Sequence, residues 1–551
     1  MTATADGDQA LTATTTRTRI GGDVVVESLA SLGAEVAFGV PGIHALAIWE
    51  GLRSSSLRAF GARTELSAGF AADGYARSSG RPAPLLLSTG PGALNSLTAL
   101  MEAASAHVPV VAISSQVPRE LIGRGRGYLH ELPDQLASFA PVVKLAARAE
   151  SVESIPELLA EAWRVAQIPP SGPVYLEVPV DVLSAEAGKG TVAGLSRSPI
   201  RTAARAEAIA EAARLINGAH RPVIWAGGGV IRSDAQEELR AIAELLDAPV
   251  GTTYMGKGAI SDEHPLAAGC GCDEAAFQEL LRGADVVLCV GTELGAETTG
   301  QYTLAFDGRL IQIDADAGRI GATYPALALV GDAKLTLAAM IGELEPRPRP
   351  ESRERVAQLR ARIRRGLESQ GRDTELGLLS AIEDALPEDA ISTWDMTILA
   401  YWAAPHLRIR GRQQFLYPLG SGTLGYAWPA AIGAAVAHPG RPVLAVVGDG
   451  GIHYALAELA TAAQYGVAAK VLLIDDGGYG ILREYQRAAY GETASVDLAQ
   501  PNFVELARAF GVPAGGCSAD ELPAHLAWAL SADGPAAVVV RARIASAQTT
   551  T

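Results

Sequence analysis

Short apolar runs alternate with helix-like patterns over the first third of the chain, from Ile20 to about Ser184. Each run ends at a Gly/Pro turn or a polar loop, which is typical of parallel strands buried on both faces. The segment 66–77 (LSAGFAADGYAR) differs, because its closely spaced alanines predict a helix. The strands predicted for this first unit are Val36–Val40, Leu85–Ser88, Val108–Ser114 and Val174–Val178.

Two further units repeat this alternation, each after a stretch of different composition. Residues 185–200 are rich in Gly, Ser and Ala, which indicates a linker. Residues 345–372 are punctuated by Pro and then strongly charged, which predicts an exposed linker leading into a surface helix. The strands predicted for the second and third units are Pro222–Ala226, Val286–Val290, Leu310–Ile313, Val443–Val447, Lys470–Ile474 and Ala537–Arg541.

The pattern therefore predicts an α/β fold of three doubly wound parallel-sheet domains, and a length of 551 residues fits that number. The Thr-, Ala- and Asp-rich start lacks the basic and apolar segments of a signal peptide and predicts a disordered tail. The predicted divisions are a tail at 1–19, a first domain at 20–185, a central Rossmann-like domain at 200–345, a linker at 346–374 and a third domain at 375–545.

Composition and charge exclude several classes of partner. Hydrophobic residues make up 48% of the chain and charged residues 19%, which argues for folded domains. A net charge of −16 argues against nucleic acid as a partner. No stretch of 18 apolar residues predicts a membrane span. The four cysteines are too few for a disulfide framework and suit the reducing cytoplasm, where we expect this protein.

Two acidic, glycine-rich turns follow successive strands of the third unit. The strand ending at Val447 is followed by Gly448, Asp449, Gly450 and Gly451, listed in chain order, and then by a helix predicted over 453–466. The strand ending at Ile474 is followed by the turn 475–480 (DDGGYG), and 24 residues separate Gly450 from that turn.

Such turns can bind a diphosphate and a metal ion. The carboxyl ends of parallel strands are where open α/β sheets bind ligands, and glycines let the backbone approach a diphosphate. Carboxylate oxygens suit Mg²⁺. Two ordinary strand-to-turn junctions are the alternative, but their spacing favours a shared site.

The paired turns resemble the cofactor motif of thiamine diphosphate-dependent enzymes, the superfamily of acetolactate synthase and pyruvate decarboxylase. The resemblance implies thiamine diphosphate and Mg²⁺ as cofactors, with Asp449, Asp476 and the carbonyl of Gly478 as metal ligands. The chain departs from the family's Asn-Asn at Asp475-Asp476, which adds a negative charge beside a polyanion. We expect Asp476→Asn to keep cofactor binding.

The stretch 62–77 (ARTELSAGFAADGYAR) resembles the R-x-E…A-A-D-G-Y-A-R segment of the same superfamily. There the Glu bonds to N1′ of the cofactor's aminopyrimidine, and the shared proton promotes the tautomer that activates the thiazolium. The resemblance implies that Glu65 is catalytic. Without it, Glu65 reads as an ordinary helix-start acid.

Other segments match the same superfamily over roughly residues 20–545. Val40-Pro41-Gly42 resembles the pyrimidine loop, 88–95 resembles the S-G-P-G-x-x-N turn, and 420–425 (GSGTLG) resembles the segment beneath the pyrimidine. Leu424 is implied as the apolar wedge that bends the cofactor, although it also reads as a core leucine. The implied cofactor-binding residues are Pro41, Gly42, Glu65, Asn95, Gly422, Leu424, Gly448, Asp449, Gly450, Gly451, Asp476, Gly478, Tyr479 and Gly480.

The middle unit resembles the central domain of acetolactate synthases, which binds FAD in some members. The run Gly227-Gly228-Gly229 is by itself a weak nucleotide signal. The segment 290–300 (VGTELGAETTG) lacks the Arg of the G-A-R-F found in flavin-binding members, which argues against FAD here.

Three polar residues are candidates for the substrate end. His44 follows the pyrimidine loop, as in benzaldehyde lyase, and His130 falls where these families carry a Gln. Gln116 matches the acetolactate synthase pattern. Imidazoles can relay protons, although a lone His is more often structural. Tyr479 and Glu484 follow the metal turn and are further candidates for the pocket lining.

The function implied is decarboxylation of a 2-oxo acid followed by addition to a second carbonyl, as in acetolactate synthase. Glu65 would activate the cofactor, and His130, Gln116 and His44 would steer protons. The absence of the consecutive His pair of pyruvate decarboxylases favours carboligation. An acyloin or aldehyde lyase, a simple 2-oxo acid decarboxylase and a non-catalytic relative stay open. The family resemblance also implies a homodimer or homotetramer with its active site between subunits.

Overall fold

The computed structural model describes residues 17–548 except 189, 191, 193, 196–198 and 412. Its strands form three six-stranded sheets in which every pair of neighbouring strands is parallel. The predicted α/β class is confirmed. The strands are β1 Val36–Gly39, β2 Arg58–Gly61, β3 Ala83–Leu87, β4 Val110–Gln116, β5 Ala146–Arg148, β6 Val174–Pro179, β7 Pro222–Ala226, β8 Val250–Thr252, β9 Ala267–Gly269, β10 Val286–Val290, β11 Arg309–Asp314, β12 Ala326–Val330, β13 Ile391–Trp394, β14 Gln414–Leu416, β15 Val443–Gly448, β16 Ala469–Asp475, β17 Ala514–Cys517 and β18 Ala536–Arg541.

The order of strands distinguishes the middle sheet from the other two. The first sheet runs β2-β1-β3-β4-β6-β5, and the third runs β14-β13-β15-β16-β18-β17, which is the same order within its own unit. The middle sheet runs β12-β11-β10-β7-β8-β9, the order of a Rossmann domain. The first and third domains therefore share one topology.

Helices flank all three sheets. They are α1 Gly21–Ser31, α2 Leu46–Leu52, α3 Glu65–Ser79, α4 Pro91–Leu94, α5 Leu97–Ser105, α6 Gln135–Phe139, α7 Ile155–Gln167, α8 Val180–Ser184, α9 Ala206–Gly218, α10 Gly228–Arg232, α11 Gln236–Leu246, α12 Ala275–Arg282, α13 Ala333–Ile341, α14 Pro350–Glu368, α15 Asp373–Ala385, α16 Ile398–His406, α17 Ala427–Ala437, α18 Asp449–Ile452, α19 Glu458–Tyr465, α20 Gly480–Tyr490, α21 Phe503–Ala509 and α22 Leu522–Ser531. Among these described helices, none combines the length and apolar character needed to cross a bilayer.

The first and third domains pack together through α3 and α17. Both helices are Ala- and Gly-rich and almost wholly buried. A Cβ at Gly433 would lie 1.9 Å from the carbonyl oxygen of Ala71, and one at Gly74 would lie 2.1 Å from that of Ala430. The two backbones are therefore in direct contact, which only small residues permit.

All ten strands predicted from the sequence are present, with ends that differ by no more than two residues. The helix predicted over 453–466 is wrong in its first part, because residues 453–457 form turns and α19 begins at Glu458. The charged linker contains α14, as predicted, but it is not exposed throughout. Arg349 is buried, since its guanidinium donates to the carbonyl oxygen of Ala219 at 2.7 Å.

The predicted tail lies outside the described residues as far as residue 16. Arg19 is described, and its Nε donates to Oε1 of Glu27 on α1 at 3.0 Å. The end of the predicted tail is therefore anchored to the first domain by an ion pair.

Candidate functional site

A cavity of about 240 Å³ opens at the carboxyl ends of β15 and β16. The two acidic turns predicted from the sequence form much of its wall. The predicted cofactor residues that line it are Gly422, Leu424, Gly448, Asp449, Gly450, Gly451, Asp476, Gly478, Tyr479 and Gly480. Apolar residues that the sequence did not single out complete the lining, among them Met396, Ile398, Tyr401, Leu482 and Ile544.

The glycines of the two turns pack so closely on neighbouring groups that a side chain would collide with them. A Cβ at Gly450 would lie 2.7 Å from the ring of Tyr479, and one at Gly480 would lie 2.1 Å from Oδ2 of Asp476. Gly478 has a φ of +138°, which other residues rarely adopt. Glycines of both turns line the cavity, so backbone borders it, and backbone amides are the donors that commonly bind a diphosphate.

Asp449 is a buried carboxylate held by two donors. Its Oδ2 accepts from the amide of Gly478 at 2.6 Å and from Nε2 of Gln500 at 2.7 Å. Burial raises the pKa of Asp449, and the charges of Asp475 and Asp476 raise it further. A cation placed among these carboxylates would relieve their mutual repulsion.

Asp476, the second acid of the pair, forms a buried ion pair. Nη1 of Arg483 lies 3.0 Å from its Oδ2, and the two side chains are only 6% and 7% exposed. The same guanidinium donates to Oδ1 of Asp497 at 2.9 Å and to the carbonyl oxygen of Gly477 at 3.2 Å. Burial raises the pKa of Asp476, while Arg483 acts to lower it.

The loop 420–425 beneath the cavity is fixed by two buried acids. Oδ2 of Asp395, at the end of β13, accepts from the amide of Gly425 at 3.0 Å. Burial raises the pKa of Asp395 to about 6. On the other side, Oε2 of Glu102 accepts from the amide of Ser421 at 2.8 Å. Leu424 between them is half-buried and lines the cavity rather than the core.

Glu65 is the first residue of α3, at the carboxyl edge of the first sheet. Thr64 precedes it as the helix cap and accepts from the amide of Ser67. Oε2 of Glu65 accepts from Nδ2 of Asn95 at 3.2 Å, and a Cβ at Gly92 would lie 3.3 Å from Oε1. The turn 88–95 thus approaches the carboxylate closely.

The pyrimidine loop meets the same turn. A Cβ at Gly42 would lie 2.4 Å from Oγ of Ser88, and Pro41 beside it is exposed. The structure therefore brings together Pro41, Gly42, Glu65 and Asn95, all predicted as cofactor residues. Ser88 belongs to the predicted turn, but its side chain was not singled out.

Two histidines far apart in the chain face each other beside this turn. The ring centroids of His44 and His130 are 5.1 Å apart, with the rings edge to face, and Tyr128 stacks on His44 at 5.7 Å. Nδ1 of both histidines and Oγ of Ser88 are buried, with no hydrogen-bond partner within the described residues. Burial lowers the pKa of His44, and His130 lowers it further. Three unpaired polar atoms in one place indicate a ligand or substrate site.

The loop that carries His130 is held by a neighbouring acid. The carboxylate of Glu131 accepts from four successive backbone amides, those of residues 125–128, at 2.8–3.3 Å. His130 itself has a φ of +66°, and a Cβ at Gly90 would lie 2.5 Å from its carbonyl oxygen. This clamp fixes the position of the imidazole.

Gln116, the third predicted proton-steering residue, lies at the end of β4 and is 1% exposed. Its Nε2 donates to Oε2 of Glu177 at 3.2 Å, and its Oε1 accepts from the amide of Val117 at 2.7 Å. Gln135 joins the same buried network through Glu177. Both ends of the Gln116 amide are therefore engaged, and its part in proton transfer stays a prediction.

The structure does not unite the two halves of the predicted site within one chain. The described residues that line the cavity all lie between 396 and 544, and none of the predicted residues of the first domain is among them. Glu484 does not line the cavity either, because its carboxylate accepts from the amide of Ser546 at 3.0 Å.

In the central domain, the run Gly227-Gly228-Gly229 has a packing role. A Cβ at Gly229 would lie 2.5 Å from Cα of Gly291, so the glycines let α10 approach the end of β10. Glu297 lies in the segment 290–300, which lacks the Arg of the G-A-R-F pattern. Its carboxylate accepts from Nε2 of Gln301 at 3.1 Å.

Glu297 also raises the pKa of two tyrosines, Tyr401 and Tyr485. The pKa of Tyr401, which lines the cavity, is raised to about 12 by burial and then by Tyr485 and Glu297. Burial, Glu484 and Glu297 raise the pKa of Tyr485 as well. Tyr401 lines the cavity, whereas Tyr485 and Glu297 do not line it but are near enough to Tyr401 to influence its pKa.

The chemistry of the oxygen donors around the two turns fits a divalent cation. Asp449 and Asp476 supply carboxylate oxygens and Gly478 a carbonyl, which are the hard ligands that Mg²⁺ prefers. Within the described residues, no group of three or more His, Cys, Asp or Glu side chains could hold a metal ion by itself. A metal ion here would therefore also need the Gly478 carbonyl or a bound diphosphate as a ligand. All four cysteines are free, with Cys270, Cys272 and Cys289 buried and Cys517 half-buried.

Family models match all three domains. The models are described as thiamine pyrophosphate enzyme N-terminal TPP binding domain, central domain and C-terminal TPP binding domain, and they match residues 19–138, 209–340 and 395–540. Thiamine pyrophosphate is another name for thiamine diphosphate. The chain belongs to the thiamine pyrophosphate enzyme family, and its three α/β units are consistent with the domain architecture of that family.

Relatives within the family carry two kinds of name. The probable 2-ketoarginine decarboxylase of Pseudomonas aeruginosa is 39% identical, over 90% of this chain and 89% of its own. A probable acetolactate synthase large subunit of Methanococcus aeolicus is 32% identical, over 94% and 90%. The acetolactate synthase isozyme 1 large subunit of Escherichia coli is 31% identical, over 96% and 95%. The chain is accordingly a thiamine diphosphate-dependent carboligase or decarboxylase.

Proposed function

We propose that this enzyme decarboxylates a 2-oxo acid with a cationic side chain and releases the corresponding aldehyde. The observation that carries the proposal is the pair of histidines, His44 and His130, beside Glu65. Aldehyde release requires a proton at the carbon that loses CO₂, whereas carboligation requires a second carbonyl there. The absence of a consecutive His pair in the sequence favoured carboligation, but two imidazoles that meet in space supply the same chemistry.

Residues of both site halves have defined tasks. Asp449, Asp476 and the carbonyl of Gly478 would hold Mg²⁺, and the glycines of the two turns would hold the diphosphate. When bound, thiamine diphosphate supplies an electron sink that allows a 2-oxo acid to lose CO₂. Glu65 holds a proton on its carboxylate for exchange with the aminopyrimidine ring, and Asn95 orients that carboxylate at 3.2 Å.

The histidines complete the reaction by moving one proton. The 2-oxo acid anion and one proton become an aldehyde and CO₂, so no redox partner is required. Burial lowers the pKa of His44, which favours a neutral ring that both accepts and donates. Its unpaired Nδ1, and that of His130, are free to exchange a proton with substrate or water.

A cationic substrate is supported by an acid, Glu297, near the cavity-lining Tyr401. Glu297 is exposed and close enough to Tyr401 and Tyr485 to raise the pKa of both tyrosines, so an acid and two aromatic rings lie near one another. Carboxylates and aromatic faces both attract a guanidinium group. The relative named as a 2-ketoarginine decarboxylase acts on a substrate of that kind by its name.

The test compares three 2-oxo acids with the purified protein, thiamine diphosphate and Mg²⁺, with products followed by NMR. We expect 2-ketoarginine to give CO₂ and an aldehyde, with kcat/KM roughly 10- to 100-fold above that of the uncharged 2-oxohexanoate, the range for one charged hydrogen bond. Pyruvate should give little product. Equal use of the charged and uncharged acids would contradict the proposed substrate class.

Two sets of variants separate substrate binding from proton transfer. Glu297→Gln should raise KM for 2-ketoarginine and leave KM for 2-oxohexanoate unchanged, so the uncharged acid serves as the control within the same variant. His44→Ala and His130→Ala should lower aldehyde release by about 10²-fold or more, the usual contribution of a positioned acid or base. Unchanged aldehyde release in both histidine variants would refute their role.

An acetolactate synthase-like carboligase is the second candidate. The acetolactate synthase relatives favour it, since they cover nearly the whole of this chain. Formation of acetolactate from pyruvate in the same NMR experiment would establish it in place of the decarboxylase.

The site also implies an assembly. Because the cavity and Glu65 occupy different domains, and no predicted first-domain residue lines the cavity, we propose that a second copy of the chain completes each site. The homodimer or homotetramer suggested by the sequence has this form. The four free thiols fit a reducing compartment, so we place the protein in the cytoplasm.

A further inference from the structure

The carboxylate of Asp476 adds negative charge where the diphosphate is proposed to bind. With Asp449 and Asp475 it places three carboxylates around one turn, at the place where a diphosphate is to bind. An Asn at this position would supply a ligand oxygen with no added charge. A buried carboxylate without a partner is costly, and it also repels a polyanion.

Arg483 is the buried cation that meets this charge. It lies on the first turns of α20, is 5% exposed and places Nη1 3.0 Å from Oδ2 of Asp476. The other nearby arginines are less well placed. Arg541 is 86% exposed and 3.5 Å from Asp475, and Arg543 is exposed as well.

The contacts of Arg483 also fix the orientation of the Asp476 carboxylate. Oδ2 is engaged by the guanidinium, whereas Oδ1 accepts only a long bond of 3.3 Å from the amide of Ile544. The guanidinium is itself held by Asp497, so it cannot follow Asp476 freely.

We propose that Arg483 is a positioning residue that neutralises Asp476 and so allows a carboxylate to serve as the Mg²⁺ ligand of a diphosphate site. The inference rests on the proposed metal site and goes beyond it, because it assigns the charge balance to one residue. Asp476 and Arg483 then form a functional unit in which each residue requires the other. An Asn at 476 has no such requirement.

A double-mutant cycle tests the inference by binding rather than by activity. Calorimetry would measure Mg²⁺ binding at saturating thiamine diphosphate, and thiamine diphosphate binding at saturating Mg²⁺, for the full-length protein. We expect Arg483→Gln to weaken Mg²⁺ binding about 10- to 100-fold, the usual effect of losing a residue that supports a metal ligand. Asp476→Asn should bind within a few-fold of the unmodified protein, because Asp497 still pairs with Arg483.

The decisive variant combines both changes. Asp476→Asn with Arg483→Gln should recover most of the affinity lost in Arg483→Gln alone, because no charge is left to neutralise. Equal losses in the single and double variants would overturn the inference, and so would full affinity in Arg483→Gln. Thermal midpoints of the apo proteins report whether each variant folds.

Two further variants distinguish the charge of Arg483 from its role in anchoring the loop. Asp497→Asn removes the other charged partner of Arg483. Because the Asp497 side chain is 62% exposed, this change should leave Mg²⁺ binding near normal. A loss as large as that of Arg483→Gln would mean that loop anchoring, not charge, is what matters. Arg483→Lys keeps the charge and should bind more tightly than Arg483→Gln. If the unmodified protein binds thiamine diphosphate without Mg²⁺ dependence, the metal site itself is refuted, a different result from failure of the cycle.

Discussion

Histidines of this chain occupy two kinds of surroundings at the level of single residues. His44 and His130 face each other in the candidate site with unpaired ring nitrogens. His406 instead is buried where the third domain packs on the central domain, with its ring near Trp402 and its Nε2 3.4 Å from Oε1 of Glu274. The first pair is available for chemistry, whereas His406 is a packing residue whose charge state affects stability.

His406 should make the protein sensitive to acid. Burial lowers its pKa to about 3 from the ordinary 6.5, so the unfolded chain binds a proton below pH 6.5 that the folded chain refuses. The contribution of His406 to the free energy of unfolding is fully present above pH 6.5 and is lost as the pH falls toward 3. At pH 5 the loss from this residue alone is about 2 kcal/mol. His406→Gln should therefore lose less stability between pH 7.5 and pH 5 than the unmodified protein.

Thermal midpoints at the two pH values provide the measurement, with exposed His220→Gln as the control. The Gln variant is expected to start from a lower midpoint at pH 7.5, because packing is lost, but to decline less on acidification. An equal decline in all three proteins would exclude His406 as the source.

Residues of the site differed in how readily the sequence predicted them. The glycines and acids of the two turns were predicted because they directly follow apolar strand patterns, which is visible in the local sequence. Arg483, Asp395 and the meeting of His44 with His130 were not, because each depends on a partner that is brought close only by folding. Gln500, which bonds to Asp449, belongs to the same group.

Elements show a similar division. Central strands such as β15 and β16 were predicted from continuous apolar runs that are buried on both faces. The strands that were missed lie at or next to sheet edges and are short; β5 and β14 are largely half-buried, whereas β8 and β13 are buried. A three-residue strand with mixed burial carries too weak a pattern to be recognised.

The contact between α3 and α17 is the element pairing on which the site most depends, because α3 carries Glu65. Gly433→Ala should force the two helices apart, since the added Cβ would lie 1.9 Å from a backbone oxygen. We expect a loss of about 1–3 kcal/mol or more, the cost of overpacking a tight core. Weaker thiamine diphosphate binding should accompany it.

Gly377→Ala is the matched control. Gly377 lies within α15 with nothing within 4 Å of its added Cβ, so alanine should stabilise that helix by about 0.5–1 kcal/mol. Urea denaturation of both variants measures the difference. If both substitutions have the same sign, backbone contact between α3 and α17 is not what Gly433 provides.

The whole molecule presents two half-sites with exposed apolar residues around each. Ile43, Leu46 and Leu129 are 56–60% exposed beside the first half-site, and Leu482 and Tyr485 are 46% and 58% exposed beside the second. Large apolar side chains of this kind mark surfaces that associate with another protein. Two copies related by a two-fold axis would bring each half-site of one chain against the other half-site of its partner.

Subunit complementation tests this arrangement. Glu65→Gln and Asp449→Ala should each abolish turnover, because each removes one half of the site. In a heterodimer of the two variants, one site would carry both substitutions and the other would carry neither. Co-expression with two different affinity tags, followed by sequential purification, would isolate that heterodimer, and its rate of aldehyde release would be compared with those of both parents.

The heterodimer should recover about half of the unmodified activity, and an unsorted mixture about a quarter, since half of the randomly paired dimers hold one intact site. Tagged pairs of the same variant provide the control and should stay inactive. If Glu65 and Asp449 instead served the same site within one chain, every site in the heterodimer would lack one of them, and no activity would return. Recovery would therefore establish both the assembly and the joint role of the two half-sites.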